Sequence, residues 1–195
     1  MLRKIGILLI IVTFFVLGNS IWAENDNKIL VVYYSRTGHT QLVAEKLAER
    51  FDADIERLID KRKRTGPIGY ARASKDAVAK NLTDLAPLTL DPSQYDVVLI
   101  GTPSWYGNMT PAVRTFLNKN DISGKVVAVF GTAHLTGVEN ACKQVAEAVL
   151  EEDFEKMPTL ALRERDLKDE VLSEKIETFY ESVMVYMEAQ HQNTP

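Results

Sequence analysis

Residues Lys28 to Thr40, KILVVYYSRTGHT, constrain the fold more than any other stretch of the chain. Ile29 to Tyr34 is a continuous apolar run of strand length without polar alternation, so it reads as a strand covered on both faces. Such strands belong to parallel sheets flanked by helices, which bind ligands in the crevice outside the carboxyl ends of the strands. The run breaks into Ser35-Arg36-Thr37-Gly38-His39-Thr40, and then into a helix of about Gln41 to Phe51 with Leu42, Val43, Leu47 and Phe51 at helical spacing. Three hydroxyls and a glycine thus crowd a turn that opens a helix. Unpaired backbone N–H groups and the positive end of the helix dipole favour an anion there, a phosphate above all. The alternative for the hexapeptide alone is an ordinary turn in which Gly38 supplies a special φ and Thr40 caps the helix.

The turn carries no lysine, so it is not the loop of a nucleotide triphosphatase, and it lacks the G-x-G-x-x-G spacing of a dinucleotide site. It resembles the phosphate loop of the flavodoxins, [ST]-x-T-G-x-T after the first strand, with Ser35, Thr37, Gly38 and Thr40 as the matching positions. The resemblance implies that Ser35, Arg36, Thr37, Gly38, His39 and Thr40 wrap the terminal phosphate of FMN. His39 stands where the family often has Asn. The helix dipole disfavours its protonation and a phosphate favours it, so its charge stays open, with a solvent-facing side chain as the default.

Further strands are expected at Asp54 to Ile59, Asp96 to Gly101, Val126 to Phe130 and Phe154 to Leu162, the last containing Pro158, which an edge strand tolerates. Helices are expected near Ala71 to Lys80, then from the Thr110 cap and Pro111 through Leu117. Two more follow: one striped by Val138, Ala141, Cys142, Val145 and Val149, and one by Leu172, Ile176, Phe179, Val183 and Met187. Strands and helices alternate, which predicts an α/β fold with a doubly wound five-stranded parallel sheet. The flavodoxin-like order 2-1-3-4-5 puts the purely apolar strands inside and those with charge or proline at the edges. Residues 60–91 carry the weakest pattern, and Lys61-Arg62-Lys63-Arg64 reads as a solvated loop.

In that order the loops Ser35 to Thr40, Thr102 to Met109 and Gly131 to Gly137 meet at one rim. Trp105 and Tyr106 offer exposed rings for stacking on a flat ligand, with packing over the sheet rim as the alternative. Gly101-Thr102-Pro103-Ser104-Trp105-Tyr106-Gly107, before a proline-initiated helix, looks like the second loop of the short flavodoxin-like proteins. The resemblance covers roughly Lys28 to Leu150. It implies cofactor contacts from Thr102, Pro103, Ser104, Trp105, Tyr106 and Gly107, Trp105 being the first choice for the flavin ring. It adds Thr132, Ala133, His134 and Leu135. Flavodoxins commonly carry a Tyr in this last loop; here His134 or Leu135 would cover that face of the flavin.

Met1 to Ala23 is of another kind: Arg3 and Lys4, the apolar run Ile5 to Leu17, then a small-residue exit. That is the layout of a secretory signal peptide, with an uncleaved membrane anchor as the runner-up and a buried core helix as the third reading. Either of the first two carries the domain, expected at 28–190, across the cytoplasmic membrane. A formal charge of -4 argues against nucleic acid as a general partner. The single cysteine, Cys142, excludes an intramolecular disulfide and lies on an apolar stripe, where it is expected to be inert. A low-molecular-weight phosphatase would need a cysteine in the phosphate loop, a response-regulator receiver would need acidic residues ending the first strand, and no cluster has metal-ligand spacing. The expectation is an FMN-binding electron-transfer flavoprotein, exported or membrane-anchored, shuttling electrons between redox partner proteins. The alternatives are an FMN-dependent NAD(P)H oxidoreductase acting on quinones and a flavin-free binding module; no sequence marker of a nicotinamide site is present.

Overall fold

The structure, a computed structural model, describes residues 27–64, 66–150 and 153–193; the signal or anchor segment 1–23 lies outside the described residues. Five strands, β1 (Ile29–Tyr33), β2 (Asp54–Arg57), β3 (Val97–Pro103), β4 (Val126–Ala133) and β5 (Thr159–Arg163), form one parallel sheet in the order β2-β1-β3-β4-β5. The helices are α1 (His39–Phe51), α2 (Gly66–Val78), α3 (Pro111–Lys119), α4 (Val138–Val149) and α5 (Asp169–Asn193). This is the doubly wound order expected from the sequence. β1 and β3 are buried along nearly their whole length because each has a strand on both sides and a helix layer on both faces.

Alternation along the strands divides the core into two layers. Leu30, Val32, Val98 and Ile100 face α2, α3 and α4, where Ala73, Ala77, Val113, Phe116, Val138, Cys142 and Val145 meet them. Ile29, Val31, Tyr33, Val97 and Leu99 face α1 and α5. The stripe on α5, Leu172, Ile176, Phe179, Val183 and Met187, is buried along its length. At about 1.5–3 kcal/mol for each fully buried large apolar side chain, this face is what holds α5 to the sheet. Arg50 donates to Glu177 through Nε and Nη2, both at 2.7 Å, and ties α1 to α5 at the surface. Thr110 accepts from the Val113 N–H at 3.5 Å and Pro111 takes the first position of α3, as the sequence predicts.

Two expectations are corrected. Phe154–Lys156 is a short 3-10 turn, and Pro158 precedes β5 instead of lying within it; its carbonyl, which proline retains, accepts from the Val129 N–H at 2.9 Å and opens the β4–β5 ladder. The basic run is not uniformly solvated either. Lys61, Arg62 and Lys63 are exposed, but Arg64 is 5% exposed, with its Nε 2.9 Å from Asp60 and its Nη2 3.2 Å from the Thr83 hydroxyl. Asp76 on α2 completes the network. A buried guanidinium requires such partners, and they pin the long β2–β3 crossover over the rim of the sheet.

Candidate functional site

The site is built outward from β1. Gly38 is the N-cap of α1 with φ 97°, the left-handed region that favours glycine, and no side chain caps the helix. The helix bonds begin with the Leu42 N–H to the Gly38 carbonyl at 2.9 Å, so the N–H groups of His39, Thr40 and Gln41 have no acceptor within the helix. The Gly38 N–H turns back to Ser35 Oγ at 3.2 Å. The first turn of α1 holds no acidic residue, so nothing there opposes an anion. Thr40 does not cap the helix. It is the second helical residue, 1% exposed, and its hydroxyl lies 2.8 Å from that of Thr132 at the end of β4. One hydrogen serves that pair, leaving the other hydroxyl hydrogen for a further acceptor.

The loop after β3 turns tightly. Trp105 and Asn108 exchange backbone bonds at 2.9 and 3.1 Å, with Tyr106 (φ 52°) and Gly107 (φ 74°) both left-handed between them, the sign pattern of a type I′ turn. That turn separates the two aromatic residues. Tyr106 is thrown outward, 69% exposed, whereas Trp105 is tucked inward at 6%. The expectation of an exposed Trp-Tyr pair is therefore corrected for Trp105, whose ring packs edge-on against Tyr34 at 5.6 Å between centroids. Burial pushes the Tyr34 hydroxyl above its ordinary pKa, with Asp60 adding to the effect, so this phenol stays neutral.

Loops after β3 and β4 are fastened to each other. The Ser104 N–H donates to the Thr132 carbonyl at 2.8 Å, and Ser104 Oγ to the Gly137 carbonyl at 2.9 Å. A Cβ on Gly137 would stand 2.7 Å from Gly107 Cα, so glycine is what allows the two backbones to touch. Asn140 and Gln144 on α4 bond Gly107 and Asn108 and complete the clasp.

Between these loops lies a cavity of about 390 Å³, lined by Arg36, Thr37, His39, Ser74, Pro103, Ser104, Trp105, Thr132, Ala133, His134 and Glu164. The sequence-predicted residues are thus brought to one place from three loops. Not all of them reach the lining: Ser35 and Thr40 are buried, Tyr106 and Leu135 are exposed, and neither these four nor Gly38 and Gly107 belong to it. Thr102, expected among the ligand contacts, is fully buried; it accepts from the Thr110 N–H at 3.2 Å and donates to the Pro103 carbonyl, bracing its loop from within. His39, expected to face solvent, is half-buried in the lining because it starts α1 beside the crevice. Ser74 and Glu164 were missed. Ser74 arrives on the crossover helix α2, and Glu164 follows β5, where its carboxylate meets His134 Nδ1. No local motif marks either residue.

Among larger clefts, one of about 500 Å³ is a surface groove between α1 and α5, and those of about 440 and 640 Å³ lie at the opposite pole, beneath the amino ends of the strands around Asn27, Tyr95 and Lys125. That pole lacks the helix N-termini and switch-point crevice on which ligand binding in such sheets depends. The 390 Å³ cavity, though smaller, has both. Its donor set suits a phosphate at one end, with hydroxyls and amides but no carboxylate in residues 35–40, and its Trp105, Pro103 and Ala133 wall suits a flat apolar ring. Among the described residues no group of His, Cys, Asp and Glu could hold a metal ion.

Comparison with known proteins agrees with the fold. The model of a family described as Flavodoxin matches residues 28–179. Among solved structures, the chain is similar to a flavoprotein from Lactobacillus acidophilus, solved in complex with FMN, at 21% identity and TM-score 0.57, covering 72% of this chain and 96% of that one. It is also similar to oxidised Flavodoxin 2 from Bacillus cereus (19% identity, TM-score 0.51, 82% and 99% covered). A WrbA-like flavodoxin from Agrobacterium tumefaciens matches at 16% identity and TM-score 0.52, with 87% and 100% covered.

Proposed function

From the premise that this chain belongs to the flavodoxin family, we propose that it binds FMN in the 390 Å³ cavity and carries electrons between redox partner proteins. The observation that carries this reading is the uncapped start of α1 beside Ser35, Thr37 and Thr40, a cradle of amides and hydroxyls without a carboxylate, on the side of the cavity across from the aromatic wall at Trp105. A phosphate in that cradle would be met by the N–H groups of residues 39–41 and by the hydroxyls, and the ring system would extend toward Trp105, Ala133 and His134. The bound flavin supplies the redox chemistry. The protein's part is to hold the phosphate, orient the ring and exclude water from all but its edge. The FMN seen in the Lactobacillus acidophilus flavoprotein supports the choice of cofactor.

A carrier and a nicotinamide-dependent enzyme differ in whether a second ring system reacts against the first. The test is steady-state oxidation of NADH and NADPH by the FMN-loaded protein with a quinone acceptor. The carrier reading expects no turnover above that of free FMN; sustained turnover would replace it with the oxidoreductase reading. Protein that stays colourless after incubation with FMN would leave only a flavin-free binding module.

Residues 1–23 would place this activity outside the cytoplasm, as a cleaved export signal or a membrane anchor. Among the described residues no helix is long and apolar enough to cross a membrane. Fusion of residues 1–23 to a reporter active only beyond the cytoplasmic membrane should give signal. A silent, soluble cytoplasmic fusion would refute export.

A further inference from the structure

Charge is unevenly spread along the chain. Residues 57–84, the crossover from the end of β2 through α2, hold eight lysines and arginines against three aspartates, a net of +5 in a chain whose formal charge is -4. Two of the aspartates, Asp60 and Asp76, flank the buried Arg64, and the third, Asp84, pairs with Lys61. Lys63, Arg72 and Lys75 are exposed, and none of the ion pairs among the described residues involves them. This cationic stretch borders the cavity. Arg57 donates to the Ser35 carbonyl and to Gln41, both at 3.3 Å. Arg64, next to Lys63 in the chain, has its guanidinium 6.0 Å from the centroid of the Trp105 ring in the cavity wall. Ser74, next to Lys75, is itself a lining residue. Ala73 and Ala77 bury the inner face of α2, which leaves Arg72 and Lys75 on its outer face. Ile59 and Val78, 50% and 58% exposed, add apolar surface to the same segment.

We propose that this crossover is a docking surface for an acidic electron-transfer protein, seated beside the mouth of the cavity. The proposal rests on the FMN carrier reading above and gives the partner of that reading its charge. A patch of like charges speeds encounter with an oppositely charged surface and fixes the orientation of the docked partner. The geometry favours a compact protein over an anionic membrane. The chain enters the sheet at Lys28, at the amino ends of the strands, whereas Lys61 to Lys63 follow the carboxyl end of β2. A membrane reached through the few residues before Lys28 would face the opposite pole. An extended polyanion would also meet the rest of the chain, which is net acidic. In the transfer step each partner molecule takes one electron from the reduced flavin. Two partner molecules are thus reduced as the ring returns to its oxidised state and releases its protons to solvent.

The experiment uses the protein incubated with FMN and two one-electron probes: plastocyanin, an acidic blue-copper protein, and mitochondrial cytochrome c, which is basic. Association with each immobilised probe is followed by surface plasmon resonance, and electron transfer from the dithionite-reduced protein by stopped flow. Salt is raised from about 10 mM to about 150 mM, over which the screening length falls from about 30 Å to about 8 Å. Both rates with plastocyanin should fall as salt rises, and those with cytochrome c should not; the net charge of the chain alone predicts the reverse. Lys63→Glu/Lys75→Glu should slow association with plastocyanin about ten-fold or more at low salt. Lys119→Glu/Lys156→Glu makes the same change of charge at the end of α3 and before β5, at the amino pole, and should stay near the wild-type rate. Rates with plastocyanin that rise or stay level with salt, or a control variant slowed as much as the crossover variant, overturn the proposal. Sedimentation with phosphatidylserine vesicles that the crossover variant loses, without association with plastocyanin, replaces the protein partner by a lipid surface and overturns it too. Protein that associates with plastocyanin through these lysines but binds no FMN overturns the carrier reading and leaves the docking surface standing.

Discussion

The hydroxyl pair of Thr40 and Thr132 offers a quantitative test of how the start of α1 is held. The two residues come from α1 and β4, are 1% and 3% exposed, and their oxygens are 2.8 Å apart. Thr40→Val or Thr132→Val keeps the side-chain shape and removes one hydroxyl, leaving its partner buried without its bond. Leaving a buried polar group unsatisfied costs about 1–3 kcal/mol, whereas replacing both partners by apolar groups of the same shape can be nearly neutral. Each single variant should therefore lose about 1–3 kcal/mol, and the double variant clearly less than the sum. For a domain of this size a loss of 1 kcal/mol lowers Tm by about 2–4 °C. The assay is a double-mutant cycle by urea unfolding at constant m, which yields the coupling between the two positions. Losses that add to within about 0.5 kcal/mol would show that the hydroxyls do not depend on each other, and would refute the tie between the start of α1 and β4.

Other consequences follow from particular contacts. A Cβ on Gly101 would stand 2.2 Å from Cζ of the fully buried Phe130, so Gly101→Ala should lose about 1–3 kcal/mol or more in thermal unfolding; unchanged stability would mean that the ring has room to move. Burial pushes the Cys142 thiol up to about 12, with Glu139 adding to it, so a disulfide-type thiol reagent at pH 8 should label the protein only after unfolding. Burial would raise the Asp76 pKa, but Arg64 and Asn81 hold it below the ordinary carboxylate value. Its stabilising contribution is thus present above the unfolded pKa of about 3.9 and is lost as pH falls through the lower folded value. Urea midpoints should decline below about pH 4, with a shallower decline in Arg64→Met.

Much of the fold was legible because its signals are local. The apolar runs of β1, β3 and β4 announce strands covered on both faces, the charges of Asp54-Ile55-Glu56-Arg57 mark an edge, and Thr110-Pro111 marks the start of a helix. The hexapeptide after β1 pointed to the candidate cavity for the same reason: its hydroxyls, glycine and helix start are contiguous. What escaped depends on partners distant in sequence. Arg64 looked like the end of a solvated basic run, yet Asp76 and Thr83, 12 and 19 residues on, bury it. Trp105 looked exposed beside Tyr106, and only the left-handed turn at Tyr106 and Gly107 sends one ring inward and the other outward. Ser74 and Glu164 reach the cavity through the crossover helix and the end of β5, elements whose placement no residue near them in sequence records.

The most direct test of the account is a comparison of FMN with riboflavin, which shares the ring and lacks the phosphate, in the wild-type protein and in Thr37→Ala. Thr37 is exposed at the cavity lining, so its loss should leave stability nearly unchanged while removing a hydroxyl from the proposed phosphate cradle. A hydrogen bond to a charged group contributes about 1.5–3 kcal/mol, which corresponds to roughly ten-fold or more in affinity. FMN should bind the wild-type protein at least ten-fold more tightly than riboflavin, and Thr37→Ala should narrow that gap without weakening riboflavin. Equal binding of FMN and riboflavin by the wild-type protein would contradict the assignment of residues 35–40 as a phosphate site.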